Sequence, residues 1–89
     1  MEWTWDPDKA EENRRRHRIS FKAAILALED PLCVSESDWH PDGDRFRTFG
    51  RAGPLLLLVI HTWPERPPGR IISAREATPH ERRRYEAGH

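Results

Sequence analysis

Pro54-Leu55-Leu56-Leu57-Leu58-Val59-Ile60-His61 is the one long uninterrupted apolar run in a chain that is 34% charged. Gly53-Pro54 opens it, and a Pro-rich segment, residues 64–69, closes it. The breakers leave too little room for a buried helix. Val59, Ile60 and Thr62 favour extended backbone, so the run reads as a strand buried on both faces. It ends in a polar His61. The next apolar pair, Ile71-Ile72, is bracketed by Arg70 and Arg75. The centre of the fold is therefore expected to present imidazole and guanidinium groups at its edge.

Working outward, Arg45-Phe46-Arg47-Thr48-Phe49-Gly50-Arg51 reads as a strand, with Arg45, Arg47 and Arg51 on one parity and Phe46 on the other. Phe49 breaks that alternation, which suggests a bulge near Gly50. Arg70 to Arg75 reads as a last strand, with Ile71, Ser73 and Arg75 on one face. The side of Ser73 and Arg75 is taken as the open one. Leu32 to Ser35 is a short strand. Residues 38–44 hold three Asp and His40, but the spacing fits no calcium loop, and Pro-Asp-Gly is turn chemistry.

Helices are marked by their ends. Asp6-Pro7 starts one that runs to about His17. Its inward stripe (Ala10, Asn13, Arg14, His17) is mostly polar, so the helix either lies on the surface or turns a functional face to a ligand. Ser20 caps a second helix, amphipathic through Phe21, Ala24, Ile25 and Leu28, which Asp30-Pro31 ends. Thr78-Pro79-His80-Glu81 is a capping box for a short third helix that Gly88 ends. Glu2 to Trp5 alternates like a short strand.

Eighty-nine residues make one domain, 1–89. The expected class is α+β: an antiparallel sheet of three to four strands, two N-terminal helices on one face and a short C-terminal helix. The lone Cys33 forms no intrachain disulfide. With a polar start and an apolar run far below the ~20 residues of a membrane span, a cytoplasmic location is expected, with no membrane partner. Net charge is zero but segregated. Residues 29–44 carry six acids and no Lys or Arg, whereas 45–89 carry nine Arg and four acids. Neutrality argues against a stand-alone duplex-DNA binder, while a local anion site remains open.

Trp5-Asp6-Pro7-x-Lys9, then Asn13, His17, Ser20-Phe21-x-x-Ala24 and Asp30-Pro31, resemble the start of the BrnT toxins. The second half agrees: Arg45, Gly50-Arg51, the leucine–valine strand ending in His61-Thr62, Arg70-Ile71-Ile72-Ser73-Ala74-Arg75, and Glu81-Arg82-x-x-Tyr85. The resemblance spans almost the whole chain. It implies a RelE-like fold and a metal-independent endoribonuclease without cofactors. It also implies a toxin that blocks translation and growth, neutralised by a BrnA-like antitoxin through which alone it meets DNA. Two positions depart from the family. Arg18 stands where Gly usually follows the first-helix histidine, which argues against a left-handed helix end. Glu76 stands where a basic residue usually follows Ser-Ala-Arg.

Metal-free RNA cleavage needs proton transfer and cations around a phosphate. His61 is the first choice for proton transfer and His17 the second; Arg75 and Arg51 are to hold phosphate oxygens, and Tyr85 to stack or donate a proton. Arg45, Arg47 and Arg70 are expected to contact RNA, and Arg82 and Arg83 the antitoxin. No metal ligand is assigned. Each has a plainer alternative. His61 could end a strand on a backbone carbonyl, Arg75 could pair with Glu76 or Glu81, and Tyr85 could be a core lid. Trp39 and Trp63 are candidates for exposed apolar surface. The rival to an enzyme is a non-catalytic module that docks a protein partner through its segregated charge.

Overall fold

The computed structural model describes residues 2–38, 41, 44–62 and 68–88. The expectations for Trp39, His40, Trp63 and much of the 38–44 turn lie outside these residues. The elements are β1 (Trp3–Thr4), α1 (Pro7–His17), α2 (Phe21–Leu28), β2 (Val34–Ser37), β3 (Arg45–Ala52), β4 (Leu55–Thr62), β5 (Gly69–Glu76) and α3 (Pro79–Ala87). Among the described residues no helix is long and apolar enough to cross a membrane.

The fold is α+β, but the sheet has five strands in the order β1-β5-β4-β3-β2 and is mixed. That corrects the expected antiparallel sheet of three to four. β1 runs parallel beside β5, with Trp3 opposite Gly69 and the Gly69 N–H donating to the Glu2 carbonyl at 2.8 Å. Gly69 makes the docking possible. A Cβ there would stand 2.5 Å from the Trp3 ring. Such a pairing joins distant residues, and nothing local in the sequence announces it.

β4 is the central strand and is buried on both faces, as its composition requires. Leu57 and Val59 meet Phe21, Ala24 and Ala27 of α2 and Ile71 and Ala74 of β5. Leu56 and Leu58 meet Phe49 and, from α3, Tyr85. So α1 and α2 cover one face, and α3 the other. Phe49 shares the face of Arg47 and Arg51 because that face too has a core. β3 pairs with β4 without interruption from Arg45 to Ala52, so there is no bulge at Gly50. Gly50 has another reason to be small: a Cβ there would lie 2.0 Å from the Ala27 carbonyl oxygen. Its absence lets α2 lie close on the sheet.

The register break sits between β4 and β5. Ile60 pairs with Ser73 and His61 with Ile71, which leaves Ile72 as the extra residue. Ile71 therefore shares the α2 face with Ala74, and Arg75 turns to the α3 face beside Leu58. The expected common face of Ile71, Ser73 and Arg75 does not exist.

α1 begins as its sequence indicates: Asp6 accepts from the Asp8 N–H at 2.8 Å, with Pro7 in the first turn. Its polar stripe has a structural member. Asn13 is 6% exposed. Its amide donates to the carbonyls of Ile19 (3.0 Å) and Ala74 (2.8 Å) and accepts from the Ala74 N–H (3.1 Å). Asn13 thus fastens α1 to both the turn before α2 and β5. Arg18 ends α1 in the left-handed conformation, φ 62°, despite its side chain. The departure from glycine did not change the geometry of this end.

Candidate functional site

His61 lies at the end of β4 and is 0% exposed. Its Nδ1 lies 2.9 Å from the Thr62 carbonyl, which can only accept, so Nδ1 carries the proton. Nε2 of the neutral ring then accepts from the Thr48 hydroxyl at 2.7 Å, and Thr48 accepts from Ser35 at 2.7 Å. Trp3 meets the imidazole edge-on at 5.2 Å, and Phe46 stacks on it at 6.2 Å. Burial lowers the pKa, opposed by the bond to Thr62. Both ring nitrogens are occupied and no solvent reaches them. Proton transfer at an open pocket, the role expected of His61, has no support in this geometry; the plainer alternative of a strand-end histidine on a carbonyl describes it.

A second group gathers on the α3 face. Arg75 holds Glu81 bidentately, Nη1 to Oε1 at 2.7 Å and Nη2 to Oε2 at 2.8 Å. The Arg75 guanidinium is the first cause that holds the Glu81 carboxyl down at about 2. Arg47 holds Glu36 at 2.8 Å, and Arg84 bonds the other Glu36 oxygen. Tyr85 is buried and donates to Asp30 at 2.8 Å; burial first, then this bond, raises its pKa. It can neither stack on a base nor readily lose a proton. Arg51 is exposed, its guanidinium 5.6 Å above the Tyr85 ring, while its backbone N–H donates to Asp30 at 2.9 Å. The structure thus brings Arg47, Arg51, Arg75 and Tyr85 to one face. Three of the four are already engaged by carboxylates, so a phosphate would have to displace Glu81 or Glu36 from Arg75 or Arg47. Arg82 and Arg83 lie on α3, half-buried and exposed respectively.

The remaining expected residues meet elsewhere. Half-buried His17 lines a cleft of about 170 Å³ with Lys9, Glu12, Asn13, Arg16, Ile72 and Ser73. A second cleft of about 150 Å³ is lined by Asp6, Lys9, Arg45, Arg70, Ile71 and Ile72. Lys9 and Ile72 belong to both. No carboxylate among the described residues pairs with Lys9, Arg16, Arg45 or Arg70. Unpaired cations beside an accessible imidazole are what an attacking 2′-hydroxyl and its phosphate need. Lys9 and Arg16 were not singled out as site residues from the sequence. The signal was available: Lys9, Arg16 and His17 are seven and eight residues apart, two helical turns, and so share a face. In the sequence Asp30 reads only as a helix stop, and its bonds to Tyr85 and Arg51 have no local signature. Among the described residues no group of three or more potential metal ligands occurs.

Three comparisons place the chain among known proteins. The family model for BrnT, the ribonuclease toxin of type II toxin–antitoxin systems, matches residues 5–81. No curated protein matches. Among solved structures, the crystal structure of the Brucella abortus ribonuclease toxin, BrnT, is similar with a TM-score of 0.66 and 22% identity. The match covers 88% of this chain and 97% of that one. At that identity the likeness speaks for the fold.

Proposed function

The chain belongs to the BrnT family of ribonuclease toxins of type II toxin–antitoxin systems, and we propose that it is a RelE-like endoribonuclease that cuts RNA without a metal at the His17 cleft. The observation that carries this site is that His17 shares a cleft with Lys9 and Arg16, whose cations no described carboxylate engages. The substrate supplies its own nucleophile. Neutral His17 takes the proton of the 2′-hydroxyl, the 2′-oxygen bonds to the adjacent phosphorus, and the bond from phosphorus to the 5′-oxygen breaks. That oxygen takes a proton from imidazolium or solvent, leaving a 2′,3′-cyclic phosphate. Lys9 and Arg16 neutralise the charge that builds on the phosphoryl oxygens, and among the described residues no ion pair has to be displaced first. His17 replaces His61 as the proton-transfer group because it alone of the two is accessible.

In the cytoplasm such cleavage would stop translation and growth until a BrnA-like antitoxin binds. Arg82, Arg83 and the exposed Arg51 offer that antitoxin a cationic surface on the α3 side, and contact with DNA comes only through it. The test is incubation of the purified chain with total RNA in EDTA. Fragments ending in cyclic phosphate are expected, with a loss of about 10²- to 10⁴-fold in His17→Gln. Intact RNA, or a variant as fast as the parent, would overturn the reading.

A further inference from the structure

Resting on the ribonuclease reading, we propose that the second cleft, lined by Asp6, Lys9, Arg45, Arg70, Ile71 and Ile72, is a subsite for a backbone phosphate flanking the scissile one on the same RNA strand.

The two clefts adjoin through Lys9 and Ile72. Along α1, Lys9 and His17 are eight residues apart, a rise of about 12 Å. One strand laid along this face therefore presents one phosphate to the His17 cleft and another, farther along the same backbone, to the second. Three cations line the second cleft. Lys9 and Arg70 are exposed, and Arg70 is fixed at its backbone, whose N–H donates to the Thr62 hydroxyl at 2.9 Å. Arg45 is half-buried, and its Nε is a buried donor with no hydrogen-bond partner among the described residues. A charged donor left in this state is destabilising, and an acceptor brought by a ligand removes the defect. Phosphate oxygens are such acceptors, and arginine's planar fork suits them.

The rest of the lining argues for a grip on the backbone. Among the described lining residues there is no aromatic plane for a base to stack on and no Asn or Gln side chain to read a base edge. Asp6 opposes an anion, but its carboxylate is turned to capping α1 through the Asp8 N–H. At the cleavage step single strands are favoured for a chemical reason. In a stacked A-form duplex the 2′-hydroxyl is held out of line with the leaving 5′-oxygen, and an unpaired strand can rotate into line.

The experiment uses a 5′-labelled hexanucleotide with 2′-O-methyl groups, which cannot be cleaved, and fluorescence anisotropy in EDTA at several salt concentrations. Arg70→Gln and Lys9→Gln, both at exposed positions, and Arg45→Met are each expected to weaken binding about tenfold. Each should also flatten the slope of log affinity against log salt by about 0.7. Asp6→Asn, which keeps the helix cap, should tighten binding. Unchanged affinity and slope in Arg70→Gln overturns the subsite. Cleavage of unmodified RNA by the parent protein is scored separately. Binding without cleavage would sink the ribonuclease site and leave the subsite standing; cleavage with an unaltered salt slope would do the reverse.

Discussion

His61 and Arg75 lie on opposite faces of the sheet. His61 shares the parity of Val59 on β4 and faces the side covered by α2, whereas Arg75 sits opposite Leu58 on the side covered by α3. Arg75 pairs with Leu58, three residues from His61 along β4, and that odd spacing puts the two on opposite faces. A shared phosphate pocket between these two residues is therefore excluded in this fold. The imidazole serves the core, and the guanidinium serves the anchoring of α3.

The buried imidazole makes stability depend on pH. Burial holds the His61 pKa below the ordinary 6.5. Above that value the ring is neutral both folded and unfolded. As pH falls through it, the unfolded chain takes up a proton that the folded chain refuses, so stability declines. The decline is at most about 1.4 kcal/mol per pH unit. Glu81 acts in a separate window: its contribution is intact above 4.5 and is lost as pH falls toward about 2. Urea unfolding at pH 7.5 and 5.5 should show a loss in the parent and a smaller one in His61→Gln. Equal losses would mean that the ring titrates freely.

Arg18 carries a left-handed backbone at φ 62° that its side chain disfavours by roughly 1–2 kcal/mol. Its N–H donates to the Arg14 carbonyl, and glycine would keep that bond. Arg18→Gly is expected to stabilise the fold by about 1 kcal/mol, raising the midpoint of thermal unfolding by about 4–8 °C. A lowered midpoint would contradict this.

Asn13→Ala removes three hydrogen bonds at a buried position and leaves the Ala74 N–H and two carbonyls without partners. Unmade bonds of this kind are each worth about 1–3 kcal/mol. A loss of about 3 kcal/mol in denaturant unfolding is expected, with Asn13→Asp also impaired because a carboxylate cannot donate. A change below 1 kcal/mol would show that water takes over these groups.

What the sequence made legible were features decided by a few neighbouring residues. Asp6-Pro7, Ser20 and the Thr78-to-Glu81 box set helix starts because capping is local, and the run from Leu55 declared a central strand because only such a strand is apolar on both faces. What stayed hidden depended on distant partners. The facing of His61 and Arg75 follows from the register of β5 on β4, invisible without knowing what β5 pairs with. β1 joins the sheet by parallel pairing across more than sixty residues. Which arginines are free was equally hidden. Arg75 and Arg47 look like Arg45 and Arg70 in sequence, and only the placing of Glu81 and Glu36 tells the engaged pair from the available one.

The two histidines give the sharpest test of the site. His17 and His61 are both candidates for proton transfer by residue type, and the fold treats them oppositely: one lines an open cleft beside cations that no described carboxylate engages, the other is enclosed between Trp3 and Phe46. If chemistry occurs at the cleft, His17→Gln should lose about 10²- to 10⁴-fold in rate at unchanged stability, since its side chain makes no hydrogen bond to the described protein. His61→Gln should lose stability instead, because Thr48 and Thr62 lose a shaped partner. Measured well below its own unfolding midpoint, it should cleave RNA at close to the parent rate. Rates per folded molecule, with the folded fraction taken from circular dichroism, separate the two effects. If folded His61→Gln is inactive while His17→Gln cleaves normally, the reaction lies elsewhere, and the core around Thr48 must open to admit RNA.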